Sequence, residues 1–159
     1  MALDVNVLMM GSLLDRLVAP GGEAGSYRGQ SVQAMKQSVR RDLENLLNTR
    51  CRSRPWPPVL NDELQYSLQG YGLPDITGLD LGDAREREKF RRRVERTICD
   101  FEPRLRAIRV SLAPPEPLQR VLRMRIEATM LADPIPKDVS FDTAVDPTTS
   151  SVSVDGGDR

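Results

Sequence analysis

From Val32 the apolar residues Met35, Val39, Leu43, Leu46 and Leu47 follow at spacings of three and four, the pattern of a helix with one dry face. Ser31 stands ahead of them as an N-cap, and the helix is expected to end near Asn48, Thr49 and Arg50. A second helix is predicted after Asp83, where Asp83 and Glu86 have the spacing of a capping box. Phe90, Val94 and Ile98 form its apolar stripe. Most of its remaining residues are charged, and Glu88 and Arg92 are a favourable i,i+4 pair. Pro103 stops this helix, because proline has no N–H and disfavours α backbone in the residue before it. Beyond it the period falls to two. Ile108, Val110 and Leu112 alternate with Arg109 and Ser111; Leu122, Met124, Ile126 and Ala128 alternate with Arg123, Arg125, Glu127 and Thr129. Val139, Phe141, Thr143 and Val145 predict a third strand, and Val152 and Val154 a short fourth. Helices followed by strands predict an α+β fold, with N-terminal helices packed on one face of a small antiparallel β-sheet.

Three regions follow. Residues 1–30 read as an N-terminal docking segment and flexible loop: Leu13, Leu14 and Leu17 make a short apolar side over residues 12–18, too short to be stable alone, and a Gly-containing stretch comes next. Residues 31–155 read as one α+β domain, and residues 156–159 as a disordered tail. Within the domain, residues 52–58 hold three prolines and Trp56, residues 61–66 suit one helical turn, and Tyr71, Gly72, Leu73, Pro74 and Asp75 suit a turn-like loop. Trp56 reads as a core-capping aromatic or a binding one.

The chain has 159 residues, enough for one modest core. It carries 23 Lys plus Arg and 23 Asp plus Glu, so the formal charge is zero, which argues against a general nucleic-acid binder. There is no histidine, which removes the commonest general base and metal ligand. Cys51 and Cys99 lack the spacing of a zinc site and are expected to be free thiols. No metal and no cofactor is expected. No apolar run is long enough to span a bilayer, and the first ten residues do not read as a signal peptide. The expectation is a cytoplasmic protein without direct membrane insertion.

The candidate chemistry centres on Glu102, Pro103 and Arg104. Read as extended backbone, the junction turns Glu102 and Arg104 to one side and displays an acid and a base together. That suits docking to a partner better than catalysis; alternatively the two pair with each other or cap the charged helix. Arg91, Arg92 and Arg93 read as a solvated helix face neutralised by glutamates rather than an anion site. A glycosidase would need two carboxylates at a set separation in a cleft, and no catalytic motif marks such a pair. Gly21 and Gly22 do not lie between a strand and a helix, so they do not form a phosphate loop.

Taken in order, five segments resemble a known family. They are residues 12–17 (SLLDRL), residues 40–50 (RRDLENLLNTR), residues 71–75 (YGLPD), residues 101–105 (FEPRL) and residues 139–142 (VSFD). Together they are similar to the TssE family, small baseplate wedge proteins of bacterial type VI secretion systems, related to a phage-tail baseplate family that once carried a lysozyme label. The resemblance covers about residues 10–155. It implies a non-enzymatic structural role in the baseplate wedge, beside TssF, TssG and TssK, and help in starting the contractile sheath of TssB and TssC. It implies that Glu102, Pro103 and Arg104 dock to the wedge core. It also implies that the C-terminal strands offer an edge to sheath strands, with Val139, Phe141, Val152 and Val154 as candidate contact residues. A peptidoglycan-degrading hydrolase and a phage tail baseplate subunit are the competing readings.

Overall fold

The computed structural model describes residues 32–51, 67–68, 70–75, 80, 82–114, 121–132, 135–146, 149 and 151–157. The expectations for residues 1–30, the Ser31 cap, Trp56, residues 61–66 and residues 158–159 lie outside them.

Helix α1 spans Val32–Asn48, and its Met35, Val39, Leu43, Leu46 and Leu47 are buried as the spacing predicted. Helix α2 spans Ala84–Phe101 and buries Phe90, Val94, Thr97 and Ile98. Asp83 is its N-cap and accepts from the Arg85 N–H at 2.8 Å. The reciprocal half of the expected capping box is not made: the Asp83 N–H goes to the Asp80 carbonyl, and Glu86 binds Lys89 instead. Along the solvated face, Glu88 takes Arg91 and Arg92. Their hydrogen bonds hold its carboxyl at about 2.

Four strands follow: β1 (Leu105–Leu112), β2 (Leu122–Met130), β3 (Lys137–Asp146) and β4 (Ser151–Gly157). They form an antiparallel meander in the order β1-β2-β3-β4. Both helices lie on one face of the sheet, α2 beside β1 and α1 beside β4. The alternation of β2 is the clearest consequence: Leu122, Met124, Ile126, Ala128 and Met130 are buried under the helices. Arg123, Arg125 and Glu127 face outward. Phe141, Thr143 and Val145 of β3 and Val152 and Val154 of β4 complete the sheet's contribution to the core.

Three details depart from the sequence pattern. Leu105 and Val110 are both buried although five residues apart, which a regular strand would place on opposite faces. A bulge between Arg106 and Arg109 absorbs one residue, with Ala107 at φ +51°, and restores the phase against β2. Gly156 and Gly157 pair with Phe141 and Ser140, so the expected disordered tail is, in these two residues, the end of a seven-residue β4. The loop at Gly72 is also more constrained than a generic turn. Gly72 has φ +107°, and a Cβ there would stand 2.1 Å from the Thr49 carbonyl oxygen. That close approach lets Leu73 bridge the end of α1, its N–H bonding Thr49 O and its carbonyl accepting from the Cys51 N–H, both at 2.9 Å.

Candidate functional site

Helix α2 ends where Pro103 requires. Glu102 is the C-cap, with its N–H on the Ile98 carbonyl at 2.8 Å. The chain then turns, and the Leu105 N–H returns to the Glu102 carbonyl at 3.2 Å. In this turn the Arg104 guanidinium folds back on Glu102 as a fork, Nε to Oε1 at 2.7 Å and Nη2 to Oε2 at 2.6 Å. Helix α1 supplies the remaining acceptors. Asp42 Oδ2 lies 2.6 Å from Nη2, and Ser38 Oγ lies 3.3 Å from Nη1. Glu102 is only 5% exposed, while the Arg104 and Asp42 side chains keep 19% and 21% exposure. Burial alone would lower the pKa of Arg104; Glu102 and then Asp42 outweigh it and raise the pKa, so the cation is firmly held. Burial, then the charges of Asp42 and Glu102, push the Tyr71 phenol above its ordinary value. The Tyr71 ring packs edge-on against Phe101 at 5.3 Å.

The junction is therefore not an extended segment displaying an acid and a base. Residues 103–104 are a turn, and Glu102 is buried, because the bidentate pairing closes the chain on itself. Of the three, Pro103 is exposed, Arg104 is half-buried and Glu102 is inside. This cluster ties α1, the end of α2 and the start of β1 together. Pairing within the motif was one alternative open from sequence. The participation of Asp42, Ser38 and Tyr71 was not seen. The missed signal was Asp42, three residues after Val39 and four before Leu46, on the border of the helix's dry face. A carboxylate there calls for a cation from another element.

The strand residues expected to form a partner edge divide. β3 is paired on both sides, to β2 and to β4, so residues 139–145 are not an edge, and that expectation is corrected. Phe141 is fully buried and serves the core; Val139 is half-buried. β4 is an edge strand, but the side chains of Val152 and Val154 point into the core, so at these two positions only the backbone faces outward. Part of that backbone is already engaged. Asn48 accepts from the Val152 N–H and donates to the Val152 carbonyl, both at 2.8 Å, and Arg40 Nη1 reaches the Val154 carbonyl at 3.1 Å. The opposite edge is treated alike: at β1, Glu95 accepts from the Val110 N–H at 2.9 Å, and Arg91 approaches the Val110 carbonyl at 3.5 Å.

The sheet face away from the helices is polar. Arg125 of β2 pairs with Asp142 of β3 across the strands, Nε to Oδ1 at 2.7 Å, with both side chains half exposed. Shallow depressions of about 670 and 590 Å³ flank this pair. Among the described residues, no group of three or more His, Cys, Asp or Glu is placed to hold a metal ion, and no helix is long and apolar enough to cross a membrane.

Comparison with known proteins gives a family and a fold. The family model described as baseplate wedge protein gp25 matches residues 33–135. These limits run from the first turn of α1 through β2. No curated protein matches the chain. A chain of the solved structure described as "The baseplate complex from the type VI secretion system" superposes with a TM-score of 0.50 at 21% sequence identity, covering 71% of this chain and 95% of that one. At that identity the likeness speaks to the fold.

Proposed function

The chain belongs to the baseplate wedge protein gp25 family, and from that premise we propose that it is a non-enzymatic structural subunit of a type VI secretion baseplate wedge. The observation that carries the proposal is the family match over both helices and the first two strands, the part that builds the Asp42, Glu102 and Arg104 cluster. The fold likeness to a chain of a type VI secretion baseplate complex supports the secretion setting over a phage tail.

In this reading the wedge partners TssF, TssG and TssK meet the rim of the cluster, where Pro103 is exposed and Arg104 and Asp42 are partly so. Glu102 acts from below, holding Arg104 in place. The β4 edge receives an extended segment of the sheath proteins TssB and TssC by main-chain pairing. The role is mechanical, and the subunit works in the cytoplasm. The hydrolase reading has less support, since the buried acid of the cluster is committed to Arg104 and family kinship does not carry chemistry with it.

Co-purification with TssF, TssG and TssK tests this, wild type beside Pro103→Glu, with circular dichroism on both. Pro103 is the choice because it is exposed and outside the ion-pair network, so the variant is expected to fold and to lose the partners. Equal recovery of both proteins would remove the rim from the interface. Release of soluble fragments from purified sacculi by the wild-type chain would overturn the non-enzymatic reading.

A further inference from the structure

At an open sheet edge the outward N–H and C=O groups are free to pair with another strand. At Val152 they are not free. The Asn48 carboxamide meets both of them, offering one donor and one acceptor, the pair that a backbone peptide group of an added strand would offer. Its Nδ2 also donates to the Glu44 carbonyl one turn back in α1, at 2.8 Å, which fixes the amide's orientation. Two residues along, Arg40 holds the next outward carbonyl, Val154 O, and lies 3.8 Å from Asp155. Asn48 is nonetheless on the surface, so an incoming chain can reach it without opening the core. The same arrangement at Val110 of β1, made by Glu95 and Arg91, makes edge closure a property of both sides of this sheet.

We infer that Asn48 is a displaceable plug of the β4 edge: it keeps the isolated chain from pairing with stray strands, and an extended segment of a partner must replace it at Val152 to join the sheet. This rests on the reading that β4 accepts a strand in the assembly. Displacement exchanges like for like at Val152, since two backbone bonds replace two amide bonds. The stretch beyond, at Val154 and Gly156, then supplies the net gain. Arg40 is the weaker part of the closure, because it holds one carbonyl and no N–H.

Two measurements on the full chain, wild type beside Asn48→Ala, decide the matter. The first is amide hydrogen exchange by NMR. The plug predicts that exchange at Val152 speeds up by on the order of tenfold, the effect of losing one to two net hydrogen bonds. The amides of Leu43 in α1 and Ile126 in β2 should keep their protection. Unchanged exchange at Val152 would overturn the inference, and loss of protection reaching Leu43 would overturn it too, by making Asn48 a clamp for the helix. The second uses a synthetic peptide copying residues 149–155 as a probe strand, titrated with shifts read at Val152 and Val154. Tighter binding to Asn48→Ala than to wild type supports the plug, and equal binding to both overturns it. If Val152 exchange rises but the peptide binds neither protein, the plug's gating role falls, and with it the reading that β4 accepts a strand, while Asn48 remains a cap on the edge.

Discussion

Glu102 is the residue on which most depends. It is a buried carboxylate whose charge is tolerable only because Arg104 meets both of its oxygens. Removing the cation leaves that charge uncompensated, so Arg104→Met is expected to cost about 3 kcal/mol, read as a lower urea midpoint. Adding Glu102→Gln to it should recover part of the loss. Charge reversal at either position is expected from this geometry to unfold or severely destabilise the chain. Tyr71 gives a pH test of the same cluster. Its raised pKa means that the folded chain holds the phenol proton more tightly than the unfolded chain does. That contribution is full below the ordinary value near 10 and is lost as pH rises through the folded value. Above about pH 10 the wild-type denaturation midpoint should therefore fall more steeply than that of Tyr71→Phe. The motif itself was legible in the sequence, because Pro103 marks the helix end. Its geometry was not: the turn that lets Arg104 close on Glu102 is not set by local spacing, and the further acceptor Asp42 lies 62 residues away along the chain.

At the scale of elements, the periodicities of both helices and of β2 were legible because each buries one face against a single layer. What escaped was what pairing and close approach decide. The β1 bulge shows this. Ile108, Val110 and Leu112 read as a clean alternation, yet Leu105 is the more deeply buried partner of Val110, and the phase is kept by Ala107 in left-handed backbone. Ala107→Gly is expected to raise stability by about 0.5 kcal/mol, the left-handed strain of an L residue being somewhat larger than the entropy cost of glycine. Gly72→Ala should do the opposite and cost more than about 2 kcal/mol, since the added Cβ meets backbone at Thr49 while φ stays positive. Both follow from chemical denaturation. Phe141 separates a core role from a contact role: at full burial, Phe141→Ala is expected to cost about 3 to 5 kcal/mol. Its position in the middle of the sheet could not be read from a strand pattern, which carries no strand order.

For the whole molecule, the two-layer arrangement leaves three surfaces with different tasks. The helix layer and the sheet share the core. The polar sheet face carries cross-strand pairs such as Arg125 and Asp142, which neutralise each other in a half-exposed, hydrated setting and add little to stability. In the proposed role, the rim at Pro103 and the β4 edge are the places where the subunit joins a larger body, one through side chains and one through backbone. Hydrogen exchange on the chain alone and within the reconstituted wedge, carried on to early sheath, tests this division most directly. The account predicts new protection at Arg104 on wedge assembly, and at Val154 and Gly156 once sheath subunits are added, with the polar face unchanged. New protection confined to the charged face of α2 or to the Arg125 and Asp142 face, with Arg104 and β4 unaltered, would contradict it.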